Sequence, residues 1–306
     1  MLTHATLTVG IVGAGRVGRS LGRGLRAAGW RVGAVVTRGP ATARQAVRAI
    51  GDGQPHAALT PQLLAADVVL VCAPDAEIAG IAAHLAKMGG REWRGRIVLH
   101  ASGRLDSREL WPLGECGAAT GSLHPVQVFN RRGLTPLASC FFEIEGSATA
   151  LRAARRICRD LGGVPLSVST GGKSATHAAR NFVSPLLAAS FEAATRILME
   201  QGFTRRQATH VLEPLARRTL DNVARLGPQA QRGGGTRARA AGAIARDERA
   251  LVRFPRAYRD AYLALQRLRA LLRESSARKK SAKSPAAGIG MAAAAGGGEN
   301  SGGENS

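Results

Sequence analysis

At 306 residues the chain is too long for one small core and suits two domains of ordinary size. Aromatic residues make up only 4%, so alanine, leucine and valine must fill most of the interior, and no uninterrupted apolar run approaches the roughly 18 residues of a membrane span. The net charge of +22 raises nucleic acid as a partner, but only Lys87, Lys173, Lys279, Lys280 and Lys283 are lysine and the arginines are spread along the whole chain, as on a solvated basic surface.

The opening residues, M-L-T-H-A-T-L-T, have neither the basic region nor the apolar stretch of a signal peptide, and a cytoplasmic protein is expected. Leu7 to Val12 then reads as a buried strand and Val17 to Ala28 as a helix, with Gly13, Gly15 and Gly18 spelling G-x-G-x-x-G between them. Strand, glycine loop and helix are the setting of a dinucleotide fingerprint: one glycine turns the chain, one lets a pyrophosphate approach, one packs helix on strand. The free N–H groups of the helix N-terminus would hold the phosphates. Gly13, Ala14, Gly15, Arg16, Val17 and Gly18 are therefore read as cofactor-binding. A second strand, Arg31 to Thr37, completes the first βαβ unit.

An NAD-type site places an acidic residue about 20 residues past the glycines, on the ribose hydroxyl. No acidic residue occurs before Asp52. The second strand ends in Thr37 and Arg38 instead, and Arg16 could reach the same corner. A guanidinium accepts a 2′-phosphate through paired charge-assisted hydrogen bonds, so NADP is the expected cofactor.

Further strand-like runs follow at Asp67 to Ala73, Arg96 to His100, Ala118 to Leu123, Cys140 to Glu145 and Val164 to Val168, separated by helical stretches. The alternation predicts an α/β fold, a Rossmann-type doubly wound parallel sheet. Ligands of such sheets sit outside the carboxyl ends of the strands. The loops at Pro74-Asp75, Ser102-Gly103 and His124-Pro125 should then face the cofactor, which adds Ala73, Pro74 and Ser102 to its binding residues. Cys72, Cys116, Cys140 and Cys158 show no C-x-x-C spacing and read as buried free thiols; no metal site is expected.

Past Thr170 helical patterns take over, with starts near Lys173, Thr204 and Pro255. The domains read as residues 1–169, the NADP-binding sheet; 170–274, a mostly α-helical C-terminal domain; and 275–306, a low-complexity tail expected to be disordered. Gly227 to Arg237 reads as a loop. From Phe203 to Arg259 thirteen arginines face four acids, but no aromatic residue lies between Phe203 and Phe254 to stack on bases, so nucleic acid is the weakest reading of this segment.

K-S-A-T-H-A-A-R-N-F-V-S-P, Lys173 to Pro185, puts Lys173, His177, Asn181 and Ser184 within about 80° on one helical face, at about 100° per residue. Such a face could line a cleft or simply meet solvent. Pro185 removes the backbone donor to the Asn181 carbonyl and should kink the helix.

The glycine loop, A-P-D at Ala73, H-A-S-G at His100, S-L-H-P-V-Q-V-F at Ser122, F-E-I-E-G at Phe142, H-A-A at His177 and T-L-D-N at Thr219 occur in one order. Over roughly residues 7–270 the chain resembles the Rossmann-like proteins carrying a C-terminal domain of unknown function 2520, within the 6-phosphogluconate dehydrogenase-like superfamily. The resemblance implies a nicotinamide oxidoreductase and a homodimer. Two departures stand out: Ser184-Pro185 where the family pattern has Ser-Asn, and A-G-A-I-A-R-D at Ala241 where it has T-G-P-I-A-R-G-D.

The leading expectation is an NADP-dependent oxidoreductase moving hydride between nicotinamide and a small carbonyl or imine. A catalytically silent NADP-binding sensor or partner protein is the alternative, favoured by the two departures; nucleic-acid binding through residues 203–259 comes third. In the first reading His177 is the general acid or base, since a histidine titrates near neutral pH. Lys173 orients an anionic substrate, and His124 and Ser102 approach from the opposite side. The two histidines also have a bland reading: His124 pinning its loop through a backbone hydrogen bond, His177 packing between domains.

Overall fold

A computed structural model describes residues 7–129, 134–227 and 237–281 of the chain. The first unit, Met1–Leu186, is built on strands β1 (Thr8–Val12), β2 (Arg31–Val36), β3 (Gln54–His56), β4 (Val68–Val71), β5 (Ile97–His100), β6 (Ala119–Val126), β7 (Phe141–Gly146) and β8 (Val164–Ser167). Its helices are α1 (Arg16–Ala27), α2 (Pro40–Ile50), α3 (Asp75–Gly89), α4 (Trp111–Glu115), α5 (Ala148–Asp160) and α6 (Lys173–Val183). The strands form one sheet in the order β3-β2-β1-β4-β5-β6-β7-β8, parallel throughout except for the β6·β7 pair.

Alternation along the strands explains why the sheet is covered on both faces. Val9 and Ile11 of β1 and Val68 and Leu70 of β4 point into one core with Leu21, Leu25, Ile50, Ala154 and Ile157 from α1, α2 and α5. Val12, Val69 and Val71 point the other way, against Ile78, Ala82, Leu85, Trp93 and Leu113. Buried on both faces, the strands read as continuous apolar runs. On α1 the small residues let the helix lie close to β1: a Cβ on Gly22 would sit 2.6 Å from Ile11 Cδ1. The strand order reverses between β1 and β4, and the crevice at their carboxyl ends is where such sheets take ligands.

The elements of this unit depart from the sequence reading in four places. Strand β3, Q-P-H, is too short and polar to announce itself. Strand β6 runs on through Val126, so His124 and Pro125 lie within it and not in a loop after it. The β5 ladder ends at Ser122, and beyond that point β6 has only β7 beside it, an edge where proline is tolerated. The break at Pro185 is complete: α6 stops at Val183, Ser184 adopts φ −125° and ψ −90°, and α7 (Pro185–Met199) begins anew. Finally, the chain divides after Leu186, not near residue 170, because α6 is bound to the sheet by the hydrogen bonds described below.

The second unit, from Leu187, contains α8 (Arg205–Leu226), α9 (Arg237–Ala250) and α10 (Arg256–Ser281). Thr204 and Gln207 form a capping box that starts α8 where the sequence places it. Residues 228–236 of the linker read at Gly227–Arg237, and the tail beyond Ser281, lie outside the described residues. Helix α10 passes the break read after Glu274, as neither glycine nor proline occurs between 256 and 281. Several of the arginines are paired: Arg196 and Arg205 flank Glu192, holding its carboxyl down to about 2, and Arg259 meets Glu248.

By length and mean hydropathy, 1.3, Lys173–Met199 is one segment among the described residues that could cross a membrane, which a search for uninterrupted apolar runs passes over. The break at Ser184 and the polar bonds of Lys173 and Arg180 to the sheet argue against a lipid-spanning role.

Candidate functional site

The three fingerprint glycines serve three different needs. Gly13 has φ +86°, which a side chain rarely adopts, and a Cβ there would lie 2.7 Å from the Ala73 amide nitrogen. At Gly15 a Cβ would meet nothing within 4 Å, so that side of the loop is open for a ligand. Gly18 is buried, and a Cβ on it would lie 2.6 Å from the Gly13 carbonyl oxygen. Gly18 thus packs helix on loop, outside the cavity lining. No side chain caps the N-terminus of α1 and no acid lies in its first turn, which leaves its amides and dipole available to an anion.

A cavity of about 810 Å³ opens at this loop, lined by Gly13 to Val17, Thr37, Arg38, Thr42, Ala73, Pro74 and Glu77 among others. The Thr37 and Thr42 hydroxyls lie 2.7 Å apart, both within hydrogen-bond distance of the Gly39 carbonyl. Arg38 is highly exposed and reaches Glu77 at 3.4 Å, a weak surface pair. Arg16, which could reach the ribose corner, lines the same cavity, and its guanidinium donates to the Phe129 carbonyl at 3.1 Å. Uncapped amides, an open Gly15 and an exposed guanidinium fit a phosphorylated dinucleotide.

Val17, Cys72 and Ala73 also line a second cavity of about 430 Å³, between the ends of β4 and β5, strand β6 and helix α6. Ser102, Arg104, His124, Gln127, His177, Arg180, Asn181 and Ser184 contribute its polar groups and Asp75 its carboxylate. Of the four residues read onto one face of α6, His177, Asn181 and Ser184 reach this cavity. Ser184-Pro185, the first departure from the family pattern, lies in its wall; the second lies on α9, in the other unit.

Lys173 does not line the cavity. Only 1% exposed, its ammonium donates to the Ser102 carbonyl at 2.5 Å and to Ser122 Oγ at 2.9 Å. The expectation that it orients a substrate is corrected: the first turn of α6 lies against the sheet, and the bonds go to the loop after β5 and to β6. Burial pushes Lys173 down to about 8, outweighing the attraction of Glu145 and Glu143. Arg180, one helical turn past His177, spans Glu143 Oε1 and the Gly103 carbonyl, the latter at 2.8 Å. Glu145 accepts from the Ser107 amide at 2.6 Å, and from the Ser107 and Thr170 hydroxyls. A buried polar layer thus fastens α6 and two loops to the sheet.

The histidines differ by environment. His124 Nδ1 donates to the Ala101 carbonyl at 3.0 Å, and burial pushes its pKa down to about 4, so it is a neutral ring with Nε2 as acceptor. The backbone bond anticipated for it is present, yet the ring also borders the cavity. A Cβ on Gly103 would lie 2.6 Å from His124 Nε2, which explains the glycine of H-A-S-G. His100, fully buried and also held down to about 4, accepts from the Ser102 amide through Nδ1, leaving Nε2 without a partner among the described residues. Ser102 Oγ accepts from the Arg104 and Leu105 amides and so shapes the loop. His177 is half-buried; loss of water first, and then the Arg104 and Arg180 charges, hold it below the usual histidine value. Cys72 lines both cavities as a thiol pushed up to about 12 by burial.

Sequence reading missed Arg104, Arg180, Glu143 and His100 as members of the site. The signal for Arg180 was present, since the spacing that selects His177 from Lys173 also selects Arg180. Period-two alternation in F-F-E-I-E likewise puts Glu143 and Glu145 on one face of β7. Arg104 carries no local signal.

A sheet wound on both faces, with a glycine loop at its switch point, defines a Rossmann-type protein. Residues 1–125 match the Rossmann-like domain family and residues 140–268 the domain of unknown function DUF2520; the chain is a Rossmann-like protein with a C-terminal DUF2520 domain. No curated protein sequence matches it. Solved structures of similar fold include a Bacteroides fragilis protein provisionally classed as an NADP oxidoreductase, 20% identical over 86% of this chain and 98% of that one, with TM-score 0.69. A Thermotoga maritima protein is 21% identical over 88% and 99% with TM-score 0.66, and an imine reductase from Pseudomonas sp. is 18% identical over 85% and 92% with TM-score 0.67. At these identities the likeness speaks for the fold.

Proposed function

We propose that the protein is an NADP-dependent oxidoreductase acting on a small carbonyl or imine. One observation carries the reading: a dinucleotide-sized cavity at the glycine loop shares Val17, Cys72 and Ala73 with a second cavity that holds titratable groups. A dinucleotide held at the amides of α1 would reach the second cavity across Val17, Cys72 and Ala73. The names of the similar structures, an NADP oxidoreductase and an imine reductase, accord with it.

Bound there, a nicotinamide supplies or takes a hydride. Reduction of C=O or C=N adds hydride to carbon and a proton to the heteroatom. His177, half-buried on the cavity wall, is the group placed to hold that proton, with Asn181 and Ser184 beside it to orient the heteroatom. His124, neutral and fixed by Ala101, offers an acceptor from the opposite wall. Thr37, Thr42 and Arg38 favour a 2′-phosphate, and no carboxylate ends β2. From the exposed Val211, Leu215, Leu220 and Leu265 we assign the protein to a homodimer, for which light scattering is the test.

The test of function has two stages. NADPH and NADH titrations, followed by fluorescence, should give micromolar binding and a preference for NADPH. A panel of aldehydes, ketones and cyclic imines, read by NADPH absorbance, should then give turnover. Tight binding with no turnover across the panel would favour the silent sensor, the reading that Ser184-Pro185 in the cavity wall supports.

A further inference from the structure

Two guanidinium groups border the second cavity, and only one of them is committed to the protein. Arg180 is spent on Glu143 and the Gly103 carbonyl. Arg104 meets one hydrogen-bonding side chain among the described residues, His177, at a long 3.5 Å. Its backbone, by contrast, is fixed: the Arg104 amide donates to Ser102 Oγ, and the carbonyls of Ser102 and Gly103 on the same loop accept from Lys173 and Arg180. An exposed arginine held by a loop fixed at three backbone groups presents a planar fork whose one side-chain acceptor among the described residues is the distant His177 ring, with no carboxylate paired to it. Carboxylates match that fork with two parallel bonds.

The rest of the lining says what accompanies the anion. Val17, Val126, Val128, Val183 and Pro185 make much of the wall apolar. Asp75 is the one carboxylate among the described residues that line it. A ligand filling this space has a compact apolar body and one acidic group turned toward Arg104, away from Asp75.

We propose that Arg104 is the specificity residue of the second cavity and that the substrate is a carboxylic acid, an oxo or imino acid with a small apolar body. The assignment rests on the oxidoreductase reading for the reaction but not for the binding. Arg104, Arg180, Asp75 and Glu143 are the charged groups that act on His177. A carboxylate on Arg104 cancels one of the two positive charges that hold the imidazole below its usual value. Its arrival raises the proton affinity of the group that must deliver a proton in the reduction.

The experiment uses the full chain saturated with NADP⁺, titrated with cyclopentanecarboxylate and, separately, with cyclopentanecarboxamide of the same shape. Binding and the His177 pKa are followed together by NMR of the imidazole. The acid should bind at least about tenfold more tightly than the amide, as paired charged hydrogen bonds allow, and should raise the His177 pKa. Arg104→Met should abolish the difference with NADPH affinity within about twofold of wild type, and Arg104→Lys should keep part of it, as a point charge without a fork. Equal binding of acid and amide, or an Arg104→Met variant that still discriminates, would overturn the proposal. So would a parallel fall in NADPH affinity, which would give Arg104 to a cofactor phosphate. If no nicotinamide nucleotide binds at all, the oxidoreductase reading fails; the same titration on the free protein then decides the carboxylate site by itself.

Discussion

Replacing Lys173 by methionine preserves most of the apolar stem and removes an ammonium that the fold buries almost completely. Two effects oppose. The Ser102 carbonyl and Ser122 hydroxyl lose their donor, at about 1–3 kcal/mol for a buried group left unsatisfied. Against this, a lysine held at about 8 instead of 10.5 means that its charged form costs the folded state about 3 kcal/mol at pH 7, at ~1.4 kcal/mol per pH unit. The two nearly cancel, and the variant should lie within about 2 kcal/mol of wild type at pH 7. Rising pH separates them. The native state holds this proton less tightly than the unfolded chain, so between pH 8 and 10.5 the unfolded chain binds more protons and wild-type stability rises with pH. Between pH 7 and 10 the gain is about 2.5 kcal/mol, present in the wild type and missing in the variant. Urea unfolding of both proteins at several pH values is the assay, because the difference between them removes every other titrating group. A difference that stays flat from pH 7 to 10 would refute a desolvated lysine. A slope of opposite sign would mean that Glu143 and Glu145 outweigh burial.

NADPH should bind at least tenfold more tightly than NADH, a gap of about 1.4 kcal/mol, and Arg38→Asp should erase or invert it. Glu77→Gln, which frees Arg38 from its surface pair, should strengthen NADPH binding; parallel titrations with both nucleotides check the two variants together. Gly18→Ala forces a methyl against the Gly13 carbonyl and should lower unfolding stability by about 1–3 kcal/mol while weakening NADPH binding. Once a substrate is found, His177→Asn should lower turnover by roughly 10² with NADPH affinity nearly unchanged. Unaltered turnover would remove His177 from the mechanism, and a fall in stability without a kinetic effect would make it a packing residue.

The strands and the glycine loop were legible because their determinants are local. A run buried on both faces must be apolar over four to six residues, and a loop that receives a phosphate must lack side chains where backbone and ligand approach. Those requirements are written in consecutive residues, as at Thr8–Val12 and Gly13–Gly18. The same holds for the capping box at Thr204, whose partners are three residues apart. Strand β3 escaped because two polar residues and a proline at a sheet edge carry no such requirement, and the run of β6 through Pro125 escaped because proline's tolerance there depends on where the neighbouring strand stops.

What the chain order could not decide was the use of each polar residue. Lys173 and His177 are four residues apart on one helical face, yet one is sealed against Ser102 and Ser122 and the other borders a cavity. Arg104 and Arg180 are equally charged, and only the position of Glu143, on a strand antiparallel to its neighbour, commits one of them and leaves the other open. A charge's role depends on the groups within a few ångströms of it, and here those groups come from β5, β6, β7 and α6, brought together by the sheet and not by sequence.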